Sequence, residues 1–312
     1  MKKVGIIGGS GFIGSYITRQ FLNNGFEVKV SATDLSKTEK YEHLKKLYNA
    51  HNLGISELNV ENKAQLKTFV EDCDIVIHGG TPFQLDVEDP QRDLFDPTIK
   101  GTENFLDVVH NAPKVKKVVL IASVAAYNTN FPLPAAGKQP NDQFSENDTP
   151  FTSKESHPYA QAKFIANETV NAFINTHPKL NVEITSVSPV AVFGKSLSKR
   201  EDSVSTGLQF LIKNKIAPNP FVQMLFDTDA EMAIVNVKDV ARSVYKAACI
   251  TGLHGKNYLL SSETYTVSDV SLMLNNNKPK KQPKVIYQNQ MAERDLGIPF
   301  QSVHKTLEQY NY

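Results

Sequence analysis

Two side chains with complementary chemistry, Tyr159 and Lys163, stand four positions apart at the start of a predicted helix. At this spacing both side chains lie on one face of a helix. A positive charge beside a phenol favours the phenolate, and it should draw the tyrosine pKa down from its ordinary value of about 10. Such a tyrosine can protonate a carbonyl oxygen during reduction, or accept a proton from an alcohol during oxidation. The pair therefore predicts a general acid/base at Tyr159.

A third candidate, Ser123, follows the apolar segment 115–121, which predicts a buried strand. In open α/β sheets, ligands bind beyond the carboxyl ends of the strands, so the Ser123 hydroxyl could hydrogen-bond the reacting oxygen. Tyr-x-x-x-Lys also arises by chance in helices, and a serine often only caps a strand end. The prediction of a catalytic group thus rests on the three residues together, behind a nucleotide-binding turn.

That turn lies in the first fourteen residues. The mostly β-branched segment 4–7 predicts a strand, the glycine-rich segment 8–14 follows it, and apolar residues then recur at helical spacing. This order places a phosphate against the free N–H groups of a helix N-terminus. Gly8 allows a tight turn, Gly11 lets the backbone approach a pyrophosphate, and Gly14 lets the helix pack on the strand. The residues predicted to bind a dinucleotide here are Gly8, Ser10, Gly11, Phe12, Ile13 and Gly14.

Predicted strands and helices alternate through the first 190 residues, which is typical of right-handed βαβ units around a parallel sheet. The sequence therefore predicts an α/β fold, with a Rossmann-type doubly wound parallel sheet over residues 1–190. A smaller mixed α/β region, 191–312, is expected to interleave partly with it and to bind substrate. We predict helices at 36–47, 98–110 and 159–174, an N-cap at Asp239, another at Thr266, and a long binding loop over 128–150.

The composition is that of an ordinary globular chain. Of its 312 residues, 40% are hydrophobic and 21% charged, and the net charge is +1. This balance gives no sign of nucleic-acid or acidic-membrane partners, and no apolar run approaches the length of a membrane span. Cys73 and Cys249 are far apart and have no metal-like spacing, so we expect no metal site and a reducing, cytoplasmic location. The expected partner is a small molecule.

Three segments, 8–14, 123–127 and 159–163, resemble the motifs of the extended short-chain dehydrogenase/reductases, within the NAD-dependent epimerase/dehydratase superfamily. The likeness extends over nearly the whole chain. Segments 78–83 and 97–102, with Asp89-Pro90 between them, are most similar to the dihydroflavonol reductase-like branch.

The resemblance implies a role for each matching residue. Tyr159 would be the general acid/base, Lys163 would hold the nicotinamide ribose and lower the tyrosine pKa, and Ser123 would orient the substrate oxygen. Asn59 stands where relatives commonly have aspartate, but its oxygen can still accept from the adenine amino group. Some relatives pair two copies through helices matching 98–110 and 159–174, so a homodimer is an open expectation. The other implied cofactor contacts are Asn59 and Val60 at the adenine, Gly79, Gly80 and Thr81 at the ribose and phosphates, and Pro189 and Val192 at the nicotinamide.

The end of the second strand bears on the choice of cofactor. Ala32 stands where NAD-using epimerases of the family have a carboxylate for the ribose 2′-hydroxyl. Thr33 replaces the phosphate-binding arginine of the reductase branch, Asp34 follows it, and Lys40 falls where that branch has a second basic contact. These residues favour NADP over NAD, although Lys40 could equally belong to a solvated helix face.

Apolar and aromatic residues dominate the predicted substrate pocket, which favours a hydrophobic or aromatic carbonyl compound. Lys195, Lys199 and Arg200 could meet a diphosphate, but we interpret them as surface charge. The predicted pocket residues are Phe83, Val124, Tyr127 and Phe193, with the segments 128–150 and 204–224.

The sequence thus predicts an NAD(P)H-dependent reductase or dehydrogenase of a small, largely apolar carbonyl or alcohol. A nucleotide-sugar epimerase or dehydratase with bound NAD is the alternative, because it uses the same three residues. Ala32 and the segment 81–83 argue against it. A non-catalytic NADP sensor is a second alternative, but such relatives typically lack the tyrosine–lysine pair.

Overall fold

A computed structural model describes residues 1–79, 89–135, 137–139, 141–200 and 203–311. Its main sheet contains strands β1 (Lys3–Ile7), β2 (Glu27–Ala32), β3 (Leu53–Glu57), β4 (Ile75–His78), β5 (Lys117–Ile121), β6 (Glu183–Pro189) and β9 (Asn257–Leu260). The spatial order is β3-β2-β1-β4-β5-β6-β9, and all neighbours are parallel. The predicted Rossmann-type α/β fold is confirmed.

Helices cover both faces of this sheet. Helices α1 (Phe12–Asn23) and α7 (Val237–Cys249) pack together on one face. Helices α2 (Lys63–Val70), α3 (Asp96–His110) and α4 (Pro158–Thr176) cover the other. Successive strand residues point to opposite faces, so Ile6 and Ile7 enter different cores. This explains why the inner strands β1, β4 and β5 are mostly apolar, as strands buried on both faces usually are.

The strand order reverses between β1 and β4. From β1 the chain continues to β2, toward one edge of the sheet, whereas from β4 it continues to β5, toward the opposite edge. Their carboxyl ends therefore border the crevice where doubly wound sheets bind ligands. Gly8 follows β1 at this point, and Gly79 follows β4.

A smaller sheet lies in the C-terminal region. Its strands are β7 (Ala191–Phe193), β8 (Glu231–Asn236) and β10 (Glu263–Thr266); β8 pairs with β7 in parallel and with β10 antiparallel. Helices α5 (Val204–Asn214), α6 (Pro220–Asp227), α8 (Val267–Leu274) and α10 (Val303–Glu308) surround its core, and α9 (Gln290–Leu296) packs on β9. Because α7 and β9 return to the main sheet, the division at residue 190 stays a prediction.

The segment 36–47 differs from the predicted α-helix. It forms two 3₁₀ turns, Thr38–Lys40 and Glu42–Lys46. The Tyr41 amide donates to the Thr38 carbonyl and the Leu44 amide to the Tyr41 carbonyl, both at 3.0 Å. Since residues three apart are aligned in a 3₁₀ helix, Tyr41 and Leu44 are both buried in the core.

The caps of two other helices test the sequence predictions. The N-cap at Asp239 is wrong: Asn236 caps α7, and its side chain accepts from the Lys238 amide at 2.7 Å. Asp239 lies in the first turn instead, where its carboxylate accepts from the Gln301 amide at 2.8 Å. The cap at Thr266 is confirmed, because its side chain accepts from the Asp269 amide in α8.

Candidate active site

The glycine-rich turn after β1 has a backbone that larger residues would disturb. Gly8 has a φ of 78°, in the left-handed region. A Cβ on Gly14 would lie 2.0 Å from the Gly8 carbonyl oxygen, so α1 can lie this close to the strand only with glycine there. A Cβ on Gly11 would meet, among the described atoms, only that same oxygen at 3.4 Å. Packing therefore does not require Gly11, and the open space in front of it fits a pyrophosphate.

The N-terminus of α1 faces the same space. The helix begins at Phe12, and no described side chain caps it. The first amides of a helix have no partner within the helix, so these donors suit an anion. The arrangement of Gly8 to Gly14 therefore fits the diphosphate of a dinucleotide.

Two neighbours hold this turn in place. The Gly8 amide donates to the Ser31 hydroxyl at 3.0 Å, and the Gly79 amide donates to the Ile7 carbonyl at 2.9 Å. A Cβ on Gly79 would lie 2.5 Å from that carbonyl oxygen, so β4 leaves the sheet in close contact with the turn. Sequence reasoning missed Ser31. Gly80, Thr81 and Phe83 lie outside the described residues.

The segments after β2 and β3 form the end of the crevice that the sequence predicts for the adenosine. Thr33 is exposed, and the Asp34 carboxylate accepts from the Ser36 amide at 2.9 Å and from its hydroxyl at 2.6 Å. These hydrogen bonds lower the pKa of Asp34 and commit its carboxylate to its own turn. Asn59 and Val60 follow β3, and the Asn59 side-chain oxygen accepts from the Glu61 amide at 3.0 Å.

A residue interpreted as surface charge also reaches this end. Arg200 Nη1 donates to the Lys40 carbonyl at 3.3 Å, across 160 positions of the chain. Lys40 itself is partly exposed. Nothing in the local spacing around Arg200 could have indicated this contact.

Tyr159 and Lys163 lie on the first two turns of α4, which packs against the short turn Val124–Ala126 after β5. Lys163 Nζ lies 5.5 Å from the centroid of the Tyr159 ring, as the four-residue spacing predicts. Lys163 is only 8% exposed, and Tyr159 is half-buried. Ser123 immediately precedes the turn, and its hydroxyl oxygen accepts from the Ala125 amide at 3.2 Å.

Burial controls the titration of this pair. It raises the pKa of Tyr159 to about 12 and lowers the pKa of Lys163 to about 8. Each shift has the same cause, because removing a group from water disfavours its charged form. The prediction that Lys163 lowers the tyrosine pKa is therefore wrong for this structure, in which Tyr159 is protonated at neutral pH.

A small cavity of about 50 Å³ lies beside Lys163, with room for a water molecule or two. Its polar lining residues include His78, Asn167 and Ser186. Burial lowers the pKa of His78 to about 4, and the charge of Lys163 acts in the same direction. His78 is therefore neutral beside the lysine at physiological pH.

The residues predicted to contact the nicotinamide and the substrate begin where the chain passes from β6 to β7. Pro189 ends β6, Val192 is buried in β7, and Val124 is buried in the turn after Ser123. Phe193 is 1% exposed and packs in the core of the smaller sheet. Tyr127 is buried, and its hydroxyl donates to the Asn257 carbonyl at 2.7 Å. Phe193 thus packs in a core and the backbone engages the Tyr127 hydroxyl, while their substrate contacts stay predictions.

The loop over 128–150 is anchored to the C-terminal region. The side-chain Nδ2 of the buried Asn128 donates to the Tyr287 hydroxyl at 2.8 Å, and the backbone amide of Phe144 donates to the Ile286 carbonyl at 2.7 Å. Part of the loop lines a cavity of about 330 Å³ with residues of β8 and β10. Ser123, Tyr159 and Lys163 are not among the described residues that line it.

A sequence model of the NAD dependent epimerase/dehydratase family matches residues 4–260. The chain belongs to this family. Cinnamoyl-CoA reductase CAD2 of Medicago truncatula is 31% identical over 254 residues, which cover 80% of this chain and 74% of the relative. An anthocyanidin reductase of Vitis vinifera is 26% identical over 285 residues, covering 89% of this chain and 82% of the relative.

Solved structures agree on the fold. A crystal structure of Gre2 with NADPH from Candida albicans has a TM-score of 0.83 and 21% identity, covering 100% of this chain and 98% of that one. Within the family, the curated relatives place the chain in the dihydroflavonol reductase-like branch of the extended short-chain dehydrogenase/reductases. It is an NAD(P)-dependent oxidoreductase.

No helix among the described residues has the length and apolar character that crossing a membrane requires. No cluster of three or more histidine, cysteine or acidic side chains in the same residues could hold a metal ion.

Proposed function

We propose that the protein is an NADPH-dependent reductase of a small, largely apolar carbonyl compound, with Tyr159 as the general acid. The observation that carries the proposal is the position of Tyr159 and Lys163. They lie on the first two turns of α4, which packs on the turn after Ser123 at the carboxyl end of the sheet. Similarity to cinnamoyl-CoA reductase and to a yeast methylglyoxal/isovaleraldehyde reductase supports carbonyl reduction.

The protonation state of Tyr159 suits this direction. With a pKa of about 12, the phenol holds its proton at neutral pH and can donate it to the carbonyl oxygen. Ser123 accepts a hydrogen bond from the Ala125 amide, which leaves its own hydroxyl proton for the same oxygen. The two donors would stabilise the negative charge that develops on this oxygen. When bound, the reduced nicotinamide supplies the hydride for the carbonyl carbon.

The remaining residues would hold the cofactor. The turn formed by Gly8, Ser10, Gly11, Phe12, Ile13 and Gly14 would bind the diphosphate, and Lys163 the nicotinamide ribose. Pro189 and Val192 would flank the nicotinamide, and Asn59 and Val60 the adenine. Gly79 would lie against the ribose and phosphates, and we extend this role to Gly80 and Thr81 by sequence alone.

The preference for NADPH rests on the end of β2. Ala32 offers no carboxylate to a ribose 2′-hydroxyl, and Asp34 is engaged with Ser36. A 2′-phosphate bound beside Thr33 and Lys40 would therefore not face a free Asp34 carboxylate.

Val124 is proposed as a substrate contact, because it lies beside Ser123.

The test is a parallel titration of the purified protein with NADPH and NADH by fluorescence, followed by a panel of aldehydes and ketones. The proposal predicts tighter binding of NADPH and its consumption with an apolar carbonyl. Tightly held NAD without net consumption would instead indicate an epimerase or dehydratase. Failure to bind either cofactor would overturn the assignment of the glycine-rich turn.

We also propose a cytoplasmic location, because Cys73 and Cys249 are both free thiols.

A homodimer through α3 and α4 is proposed from the family resemblance alone. Sedimentation of the purified protein would detect it, and a monomer at micromolar concentration would contradict it.

A further inference from the structure

The two faces of the smaller sheet have different neighbours. Met232 of β8 and Tyr265 of β10 point into the core that α5, α6, α8 and α10 surround. Because successive strand residues point to opposite faces, Thr264 and its cross-strand neighbour Ala233 face the other way. The cavity of about 330 Å³ lies between that face and the loop over 128–150, since residues of both line it.

The loop side of this cavity is apolar and aromatic. Phe144 and Tyr287 have ring centroids 5.7 Å apart, and their planes are tilted by 39°. The apolar residues on the lining include Pro132, Leu133, Pro134, Phe144, Ile286 and Tyr287. A cavity of about 150 Å³ can hold one benzene molecule, so this cavity has room for about two fused rings. Its size and lining are those of a small-molecule site.

The charged residues on the lining already have partners in the protein. Lys138 Nζ lies 2.8 Å from an Asp148 carboxylate oxygen. The other described pairs are Glu231 with Lys284, Asp229 with Lys281, and Asp142 with the Gln139 amide. A charged ligand would lose its water here and meet only charges that are already engaged, which costs free energy. The cavity therefore favours a neutral ligand.

One polar group on the lining has no hydrogen-bond partner among the described residues. This group is Oγ1 of Thr264, a residue that is 2% exposed. The Thr264 backbone is satisfied, because its amide and its carbonyl both bond to the backbone of Lys284, at 2.8 and 3.0 Å. Buried polar groups usually have a partner, and a threonine hydroxyl can both donate and accept. The side chain is therefore suited to the hydroxyl of a bound ligand.

Two residues on the lining are tied to the segment that carries Ser123. Nδ2 of the buried Asn128 donates to the Leu133 carbonyl at 2.9 Å and to the Tyr287 hydroxyl at 2.8 Å. The Asn128 backbone amide donates to the Val124 carbonyl at 2.9 Å, in the turn after Ser123. A molecule in the cavity would therefore contact residues that are hydrogen-bonded to the turn beside the candidate active site.

We propose that this cavity is a second ligand site, which binds a neutral aromatic alcohol or phenol of about two rings through the hydroxyl of Thr264. The rings pack against Phe144 and Tyr287, and the ligand hydroxyl bonds to Thr264 Oγ1. The site goes beyond the proposed reductase and does not depend on its cofactor.

The probe for this site is 2-naphthol, which has two fused rings and one hydroxyl. The chain contains no tryptophan, so naphthol fluorescence can be followed without tryptophan emission. The wild type should bind 2-naphthol with a dissociation constant of about 0.1–1 mM. Its charged analogue 2-naphthoate should bind at least about tenfold more weakly.

Variants of Thr264 test the hydroxyl. Thr264→Val should weaken 2-naphthol binding roughly three- to tenfold, because it replaces the hydroxyl by a methyl group. Thr264→Ser keeps the hydroxyl and should bind almost as the wild type does. Ser261→Ala is the matched control, since it also removes a buried hydroxyl without a described partner, but from outside the described lining. It should leave the affinity unchanged, and thermal unfolding confirms that each variant is folded.

NMR of isoleucine methyl groups would locate the probe. Ile286 lines the cavity, so its methyl resonances, assigned with Ile286→Val, should shift when 2-naphthol is added. Ile234 packs in the core on the opposite face of the smaller sheet and should shift less.

Equal affinities of the wild type and Thr264→Val, or of 2-naphthol and 2-naphthoate, would overturn the proposal, as would an unshifted Ile286 resonance. Binding that is lost with Tyr159→Phe but kept with Thr264→Val would place the compound in the active site; this second site would then be ruled out and the reductase left intact. Conversely, a protein that binds 2-naphthol through Thr264 but neither NADPH nor NADH would keep the site and remove the reductase.

Discussion

The two ends of the proposed cofactor crevice are assembled in different ways. At the nicotinamide end, Tyr159 and Lys163 share one helix face, and that helix packs on the turn after Ser123. At the adenosine end, the contacts join α1, the loop after β2 and Arg200, which is 160 positions from its partner Lys40. The first end follows from local periodicity, whereas the second depends on how the complete chain folds.

The largest effect is expected from Tyr159→Phe, which removes the proton donor and keeps the ring. Turnover should fall by roughly two to four orders of magnitude, with NADPH affinity retained. Stopped-flow or steady-state rates with the best carbonyl of the panel would measure it. Unchanged turnover would remove Tyr159 from the mechanism.

Tyr127→Phe is the matched control for this change, because it also deletes one buried phenolic hydroxyl. It loses the hydrogen bond to the Asn257 carbonyl, which should lower the free energy of unfolding by about 1 kcal/mol. Turnover should stay near the wild-type rate. A large loss of turnover would show that Tyr127 contacts the substrate, as the sequence predicts.

Lys163→Met should separate binding from stability. It should weaken NADPH binding and yet stabilise the free protein at pH 7, because burial lowers the pKa of this lysine from 10.5 to about 8. Between these two values the unfolded chain binds more protons, so wild-type stability rises with pH in that window. The variant's advantage should reach at most about 3 kcal/mol below pH 8 and vanish above 10.5.

Urea unfolding at several pH values would measure this difference. A variant less stable than the wild type at pH 7 would contradict the burial penalty.

In the wild type, cofactor affinity should also fall as the pH rises through about 8, because Lys163 then loses its charge.

Gly11→Ala and Gly14→Ala test the turn that joins the two ends. The Gly11 methyl group has space, so the variant should remain as stable as the wild type but bind NADPH and NADH roughly tenfold more weakly. The Gly14 methyl group would collide with the Gly8 carbonyl, so that variant should lose about 1–3 kcal/mol of stability as well. Equal stability of the two variants would contradict the packing geometry.

The smallest effect is expected from Asp34→Ala at the adenosine end. It removes two hydrogen bonds to Ser36 on an exposed loop, so the free energy of unfolding should change little. NADPH should bind slightly more tightly, because one negative charge near the loop is lost. Markedly weaker NADH binding would show instead that Asp34 contacts the ribose.

The parts of the fold that sequence could predict are those with a local pattern. The strand, glycine turn and helix at residues 4–23, the cap at Thr266 and the tyrosine–lysine pair each follow from residue types at short spacing. The segment 36–47 was misjudged because its charged residues fit an α-helix, while the burial of Tyr41 and Leu44 favours 3₁₀ turns.

The remaining differences come from contacts that spacing does not encode. The sequence alone does not distinguish an aromatic residue that lines a pocket from one that packs in a core. Phe193 lies in the core. The expected direction of the Tyr159 pKa shift is wrong because burial of the phenol raises its pKa. Arg200 looked like surface charge because its partner lies in a different part of the chain.

The chain passes between the two sheets three times, after β6, after β8 and after β9. Cutting it at residue 190 would leave β6 without its neighbour β9, and it would uncover the face of α1 where Phe21 packs edge-to-face with Tyr245. Neither half could then complete its own core. The two regions should consequently unfold together in one cooperative transition, and a fragment of residues 1–190 should not fold alone.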